Sequence, residues 1–302
     1  MNVLDLFVKT YSRLYNLAGL PYWVMTPFRR IVRKLAWCTV PSYLSKKVKV
    51  QPKTSIPIYV SFTSFPARIN YVWQVIECML RQTFQPEKII LWLSKEQFPT
   101  EESIPVSLRK RAGDVFEIRL VDGNLRSHKK YLYVSREYPN KNVFLIDDDL
   151  YYPTDILERT WMAHLQNPDA IICNYGYLIS YNADGTPKPY KQWRHNYKFS
   201  VSKDLFFGSG GGTLFVPARM SPDLTREDLA TKLTPLADDV WLNAMARKAN
   251  YEIVMLDNGM ILPYRIKKKR KLSTTNIEEG LNDKQIQAVN DNYGEIVFCK
   301  IN

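Results

Sequence analysis

From residue 56 to residue 174, apolar runs of strand length alternate with segments of helical period. The strand-like runs cover 56–62, 88–93, 115–121, 142–147 and 170–174, and helices are predicted over 71–82, 103–112, 128–138 and 154–166. Strands that alternate with helices predict an α/β fold: a mostly parallel central sheet with helices on both faces. In such sheets ligands bind at the carboxyl ends of the strands. The second half is less regular, with a glycine-rich entry to a strand at 206–216, a helix at 236–249, a strand at 251–256 and a helix at 281–294.

Composition supports a large folded core and an anionic partner. The chain has 302 residues, of which 45% are hydrophobic, and a formal net charge of +12. Such a charge is compatible with nucleic acid, phosphorylated small molecules or an anionic membrane surface as a partner. The net charge alone does not distinguish these three. The four cysteines are scattered without a CxxC pair, which argues against a zinc site or a disulfide framework and favours a reducing compartment.

The first 55 residues differ from the rest and are expected to form a separate N-terminal extension. They contain no signal-peptide pattern and no apolar window of about 18 residues, the length that a membrane-spanning helix needs. The segment "PFRRIVRKLAW" at 27–37 interleaves large apolar residues with Arg29, Arg30, Arg33 and Lys34. Two interpretations stay open: a helix at an anionic lipid surface, or a helix packed on the main domain with solvated charges.

Three consecutive aspartates, Asp147, Asp148 and Asp149, follow the apolar run Val143–Ile146. In an extended chain Asp147 and Asp149 face the same side and Asp148 the other. Paired carboxylates at a strand end suit Mg²⁺ or Mn²⁺, which relieves their repulsion and binds the phosphates of a nucleotide. The alternative is an exposed acidic turn that caps the helix starting near Pro153.

Two enzyme classes place an Asp-x-Asp motif after an apolar strand. Haloacid-dehalogenase-like phosphatases use the first aspartate as a nucleophile, but Leu150 and Tyr151 after the motif and the three strands before it argue against that class. The other class is the GT-A glycosyltransferases. The blocks that carry a resemblance to them are "SFTSFPARI" (61–69), "QTFQPEKIILWLSKEQFP" (82–99), "LRSHKKY" (125–131) with "FLIDDDLYYP" (144–153), and "GSGGGTLF" (208–215) with "LADDVWL" (236–242) and "STTNIEEGLNDKQI" (273–286).

In order and spacing these blocks resemble a bacterial family of GT-A glycosyltransferases, related to family 2 and found with surface-polysaccharide genes. The resemblance implies a GT-A domain over 56–302, with a nucleotide-binding half at 56–155 and an acceptor-binding half at 156–302. It implies transfer of a sugar from a nucleotide-sugar donor, with a UDP-sugar as the first candidate, to a glycan or lipid-linked oligosaccharide. It also implies a Mn²⁺ or Mg²⁺ cofactor and a location in the cytoplasm, peripheral to the inner face of the membrane.

The resemblance assigns roles to individual residues. Asp149 and Asp147 are the implied metal ligands, and Asp239 the implied general base of an inverting reaction, with Asp238 as its partner. The implied contacts to the donor nucleotide and diphosphate are Thr63, Ser64, Arg68, His128, Lys129, Lys130, Asp147 and Asp148. The implied sugar contacts are Gly210, Gly211, Gly212 and Trp193.

Several assignments have a structural alternative, which for Gly210, Gly211 and Gly212 is a plain turn. Arg68 is otherwise a solvated residue of a turn, and His128 a residue at a helix start. Asp238 and Asp239 suit N-terminal helix capping, and Trp193 with Tyr190 suits a core. The basic run "RIKKKRK" at 265–271 either contacts phosphates or is a solvated loop.

Two other functions stay open beside the glycosyltransferase. One is a phosphatase or phosphotransferase that uses Asp147 as nucleophile, and the other is a non-catalytic basic binding module. Nucleic-acid-binding motifs are absent and acidic residues interrupt the basic ones, so we expect no nucleic-acid partner.

Overall fold

The structure is a computed structural model that describes residues 1–16, 22–46, 54–195, 198–256, 262–264, 280–294 and 297–300. The basic run 265–271 and residues 273–279 of the last sequence block lie outside the described residues. Among the helices that the structure describes, none is long and apolar enough to cross a membrane.

The strands in these ranges are β1 (Ser55–Thr63), β2 (Gln85–Ser94), β3 (Phe116–Val121), β4 (Asn142–Ile146), β5 (Leu150–Tyr151), β6 (Ala170–Cys173), β7 (Gly176–Leu178), β8 (Arg194–His195), β9 (Ser200–Val201), β10 (Leu205–Phe207), β11 (Gly211–Phe215), β12 (Glu252–Met255) and β13 (Leu262–Pro263). The helices are α1 (Val3–Asn16), α2 (Tyr22–Leu44), α3 (Trp73–Leu80), α4 (Val106–Arg109), α5 (Lys129–Glu137), α6 (Ile156–Gln166), α7 (Glu227–Leu233), α8 (Asp238–Lys248) and α9 (Leu281–Tyr293). Single 3₁₀ turns lie at Ile69–Tyr71, Glu101–Ser103, Arg126–His128, Tyr190–Gln192, Pro217–Arg219 and Pro222–Thr225.

The central sheet has the strand order β3-β2-β1-β4-β11-β6-β12-β9. The pairs β3–β2, β2–β1, β1–β4 and β6–β12 are parallel, whereas β11 is antiparallel to both of its neighbours. The prediction of an α/β fold with a mostly parallel sheet is therefore confirmed. The reversed strand in the middle was not predicted, because a five-residue run of buried residues carries no signal of its direction.

The reversal of β11 brings the glycine-rich segment to the aspartates. Gly211, at the start of β11, pairs with Ile146, the last residue of β4. On the other side of β4, Ser61 of β1 pairs with Leu145, so β1 and β4 end at the same edge. The ends of two parallel strands and the start of an antiparallel one therefore meet at this edge.

Both faces of the sheet are covered, because side chains alternate along each strand. On β4, Phe144 and Ile146 join one core and Val143 and Leu145 join the other. The first core lies against α1, α2, α3 and α6, and the second against α5, α7, α8 and α9. Helices on both sides are thus confirmed.

The N-terminal extension packs on the main domain. Six of its buried apolar residues belong to the same core as Ile58 of β1 and Phe144 of β4; they are Leu4, Val8, Tyr11, Ala36, Val40 and Leu44. Trp37 Nε1 donates a hydrogen bond to the Pro263 carbonyl oxygen at 2.9 Å. Arg29, which was expected at a surface, is only 5% exposed. One face of α2 is therefore packed on the main domain, as the second interpretation predicted.

Candidate active site

The three aspartates occupy a turn that follows β4 directly. Since β4 ends at Ile146, the alternation of an extended strand does not continue through residues 147–149. Instead, Arg68 Nη1 lies 2.6 Å from Asp148 Oδ1 and 3.1 Å from Asp149 Oδ2. Asp148 thus shares a cation with Asp149, whereas Asp147 pairs with Lys130, and the expectation that Asp148 points away from Asp149 was wrong.

Asp148 is enclosed by the loop after β1. Its side chain is only 6% exposed, and Ser64 Oγ donates a hydrogen bond to its Oδ2 at 2.5 Å. Burial raises the pKa of Asp148, although the Arg68 guanidinium opposes the shift. Ser64 and Asp148 bind each other in this structure, so Ser64 uses its one hydroxyl donor on Asp148 and meets a nucleotide as an acceptor while this hydrogen bond lasts.

Asp147 lies against the glycine segment. Its side chain is 43% exposed, the largest exposure among the three aspartates. A β-carbon built on Gly210 would be 1.9 Å from the Asp147 carboxyl carbon. Tyr152, which is fully buried, accepts a hydrogen bond from the Asp147 backbone N–H at 2.8 Å and donates one to the Gly210 carbonyl oxygen. The Asp147 carboxylate therefore leaves no space for a β-carbon at residue 210, and only glycine fits there without a shift of Asp147.

Lys130 connects the strand end to the start of α8. Its Nζ lies 2.9 Å from Asp147 Oδ1 and 2.8 Å from Asp238 Oδ2, and its side chain is 4% exposed. Burial alone would lower the pKa of Lys130, but Asp147, Asp238 and Asp239 outweigh it and raise that pKa. Lys130 is therefore a permanent buried cation between two acidic groups that are 91 residues apart in the sequence.

Asp238 and Asp239 begin α8 and differ in their acid strength. Burial acts to raise the pKa of Asp238, but Lys130 outweighs it and lowers that pKa to about 2. Burial and the adjacent Asp238 carboxylate raise the pKa of Asp239 to about 6. Two neighbouring carboxyl groups with divergent pKa values are a common arrangement in acid–base catalysis.

Ser209 holds the Asp239 side chain in place. Its backbone N–H donates to Asp239 Oδ1 at 2.9 Å, and its hydroxyl contacts the same oxygen and Asp238 Oδ2. Asp239 keeps partial solvent exposure, whereas Asp238 is buried. Of the two, Asp239 is therefore the carboxylate that a bound molecule can reach.

His128 and Lys129 are buried in positions that differ from the expectation. The Nε2 of His128 lies 2.7 Å from the Thr234 carbonyl oxygen and its Nδ1 2.8 Å from the Tyr131 hydroxyl. Since the carbonyl needs a donor, Nε2 carries the proton and Nδ1 accepts from Tyr131. Burial lowers the pKa of His128, which keeps the ring neutral. His128 therefore ties α5 to the segment before α8, as the helix-start alternative allows, and its contact with a nucleotide stays a prediction.

Lys129 Nζ donates to Asn124 Oδ1 at 2.9 Å, and burial lowers the pKa of Lys129 to about 8. Thr63 Oγ1 donates to the Trp92 carbonyl oxygen at 2.8 Å. Both side chains therefore have protein partners: Thr63 binds β2, and Lys129 binds the segment after β3.

The other predicted sugar contacts are explained by packing. β-Carbons on Gly211 and Gly212 would meet Tyr175 at 2.4 Å and Phe144 at 2.8 Å, and Gly212 has φ +95°. Trp193 is 6% exposed; its ring lies 4.7 Å from that of Tyr190 and 5.1 Å from that of Phe206. The core alternative therefore accounts for the position of Trp193, and its contact with a sugar stays a prediction.

The acidic residues fit a divalent cation by charge but do not form a complete cage. Within the described residues, no group of three or more His, Cys, Asp or Glu side chains is arranged to hold a metal ion. Five aspartates (147, 148, 149, 238 and 239) lie around two cations, Arg68 and Lys130, so acidic groups outnumber basic ones at the site. A hard divalent ion held by one or two carboxylates, with phosphate and water oxygens completing its shell, matches both facts.

Sequence reasoning missed Ser209 and Tyr152 and the bridging position of Lys130. Ser209 stands inside the quoted block "GSGGGTLF", so its position beside three glycines was the available signal. Tyr152 contacts Gly210, 58 residues later in the sequence, and Lys130 contacts Asp238, 108 residues later. A local sequence pattern does not predict contacts over such separations.

Comparison with models of known protein families finds no match, and comparison with curated proteins finds none. Among solved structures, the chain is similar to a mannosyltransferase from Pyrobaculum calidifontis in complex with GDP-Man and Mn²⁺. The identity is 12% and the TM-score 0.47, over 97% of this chain and 76% of that chain. A likeness this distant carries no argument about the substrate or the reaction of this chain.

Proposed function

We propose that this protein is a metal-dependent glycosyltransferase that transfers a sugar from a nucleotide-sugar donor to an acceptor hydroxyl. The observation that carries the proposal is the pair of contacts made by Lys130, 2.9 Å to Asp147 and 2.8 Å to Asp238. These contacts put the strand-end aspartates, which suit a metal–diphosphate, next to a carboxylate whose pKa of about 6 suits a general base.

In this proposal the donor diphosphate binds over the turn at residues 147–149. Asp147 and Asp149 are the proposed ligands of Mn²⁺ or Mg²⁺, which when bound neutralises the charge of the leaving nucleoside diphosphate. Arg68, whose guanidinium lies 3.1 Å from Asp149, adds a fixed positive charge for the phosphates. The donor nucleoside extends from there toward Thr63, at the end of β1, and Lys129, at the start of α5. A UDP-sugar is the first donor to test.

Asp239 is the proposed general base. Its pKa of about 6 lets it be ionised at neutral pH while it remains basic enough to accept a proton from the acceptor hydroxyl. The Ser209 backbone N–H, 2.9 Å from Asp239 Oδ1, orients the Asp239 carboxylate. The ion pair of Lys130 with Asp238 lies next to it. Attack by that hydroxyl on the anomeric carbon from the side opposite the diphosphate gives inversion.

The proposed acceptor is a glycan, in particular a lipid-linked oligosaccharide of surface-polysaccharide synthesis. This acceptor is in keeping with the resemblance of the sequence blocks, and with it we propose a peripheral position at the cytoplasmic face of the membrane.

The experiment is a thermal-unfolding screen of UDP-, GDP-, dTDP- and CMP-sugars with and without Mn²⁺. A donor present at 100 times its Kd stabilises the folded protein by about 2.7 kcal/mol. We expect one donor class to stabilise the protein only with metal, and Asp149→Ala to lose the effect. Asp239→Asn should keep donor binding and lose transfer by a factor of about 10² to 10⁴. No stabilisation by any donor, or phosphate release from a phosphate ester without an acceptor, would contradict the proposal.

A further inference from the structure

Helix α2 carries a row of large apolar side chains that point away from the domain. Phe28, Ile31 and Leu35 are 53%, 55% and 53% exposed. Their spacing of three and four residues places them on one face of the helix. The opposite face holds Trp37 and the buried residues Ala36 and Val40. We call Phe28, Ile31 and Leu35 the α2 ridge.

Positive charge flanks the α2 ridge. Lys34 is exposed on one flank of the ridge, and Arg30, one helical turn earlier and seven residues before Trp37, is exposed between that flank and the Trp37 face. The helix sequence from Tyr22 to Leu44 contains no Asp or Glu. An apolar row beside basic residues, without acidic ones, matches the interface of an anionic bilayer, where apolar side chains enter the acyl region and cations contact the headgroups.

The helix is joined to the candidate active site through two hydrogen bonds. Trp37 Nε1 donates to the Pro263 carbonyl oxygen at 2.9 Å, and the next residue, Tyr264, donates its N–H to the Asp149 carbonyl oxygen at 3.0 Å. The ridge-bearing helix thus contacts the short β5–β13 ribbon that follows the aspartate turn. A surface that binds the ridge is therefore held at a fixed position relative to Asp149.

We propose that the α2 ridge, with Arg30 and Lys34, docks the protein on an anionic lipid surface. The proposal rests on the proposed function, since it gives the enzyme access to a lipid-linked acceptor. A second copy of the chain is a less suitable occupant, because two ridges face to face would bring Arg30 and Lys34 of one copy toward those of the other.

The test is co-sedimentation of the full chain with vesicles. We expect binding to vesicles of phosphatidylglycerol and phosphatidylcholine, and at least tenfold weaker binding to pure phosphatidylcholine. The variant Phe28→Ser/Ile31→Ser/Leu35→Ser should bind at least tenfold more weakly. Its matched control is Met162→Ser/Leu165→Ser on α6, whose side chains are 48% and 56% exposed, and it should bind like the wild type.

The charge contribution has its own pair of variants. Arg30→Glu/Lys34→Glu should weaken binding to the anionic vesicles by tenfold or more, because each basic residue near an anionic surface contributes roughly fivefold in affinity. Lys110→Glu/Lys232→Glu changes the net charge equally at two other exposed positions and should have little effect.

Unchanged vesicle binding of the ridge variant would overturn the proposal. So would a dimer in lipid-free buffer that the ridge variant abolishes, since the ridge would then be a protein interface. Donor-induced stabilisation measured on the same variants separates this result from the proposed function. A ridge variant that loses lipid binding but keeps donor binding supports docking, whereas a wild type that binds vesicles but no donor contradicts only the enzyme assignment.

Discussion

The β-carbon that Gly210 lacks would lie 1.9 Å from the carboxyl carbon of Asp147. Gly210→Ala should therefore displace Asp147 and weaken Mn²⁺-dependent donor binding at least tenfold, while costing about 1–3 kcal/mol in the free energy of unfolding. Thermal unfolding with and without donor measures both effects. Gly113→Ala is the matched control, because a β-carbon at Gly113 meets nothing within 4 Å. Equal donor binding by both variants would show that the position of Asp147 does not matter for the donor.

Lys130→Met should destabilise the fold strongly. The substitution leaves Asp147 and the buried Asp238 without their shared cation, and removing one partner of a buried ion pair costs about 3–5 kcal/mol. Urea denaturation measures the loss. Lys95→Met removes an exposed pair with Asp122 and should cost less than about 1 kcal/mol. Similar losses for the two variants would mean that the Lys130 contacts contribute little to stability.

The rate of transfer should fall as the pH drops through about 6. A general base acts only when it is deprotonated, and the pKa of Asp239 is about 6. Activity is therefore present above that value and lost below it. Asp238→Asn removes the negative neighbour that contributes to this raised pKa, so the acidic limb of the kcat/KM profile should move to lower pH. An acidic limb that stays in place in Asp238→Asn would assign it to another group.

The positions of the main strands could be predicted, whereas the partners of the site residues could not. The run Val143–Ile146 fixes a buried strand, so the sequence places Asp147 at a strand end without any knowledge of the tertiary structure. That Asp148 binds Ser64 and Arg68 depends on how the loop after β1 folds back, 80 residues away from Arg68. The alternation of side chains along an extended strand does not apply in the turn after Ile146. For this reason the predicted direction of Asp148 relative to Asp149 was wrong.

Burial explains the other differences. Aromatic and basic residues occur both at sugar or phosphate sites and in cores, and local pattern does not separate these uses. Trp193 and His128 both turned out to have protein partners. The same holds for the N-terminal extension: its composition leaves open a lipid-surface helix and a packed helix, and only the packing shows that one face of α2 is buried and another carries the ridge.

Removal of the N-terminal helices should unfold the domain. Leu4, Val8 and Val40 are nearly or fully buried in the main core, and Asp5 accepts hydrogen bonds from the Thr154 N–H at 2.8 Å and the Thr154 hydroxyl at 2.7 Å. We expect deletion of residues 1–46 to give an aggregated or unfolded chain. Asp5→Ala alone should cost about 1.5–3 kcal/mol, since its carboxylate accepts these hydrogen bonds while buried. Circular dichroism and urea denaturation measure both, and a stable folded deletion variant would contradict the shared core.

The most direct test of the account is a Mn²⁺ titration followed by electron paramagnetic resonance, with the donor selected by the thermal screen. The account predicts one Mn²⁺ bound per chain in the presence of donor, and at least tenfold weaker binding in Asp147→Ala and in Asp149→Ala. Asp184→Ala, at an exposed position in another loop, is the control and should bind like the wild type. Unchanged Mn²⁺ affinity in both strand-end variants would contradict the claim that these aspartates hold the metal of a nucleotide-sugar site.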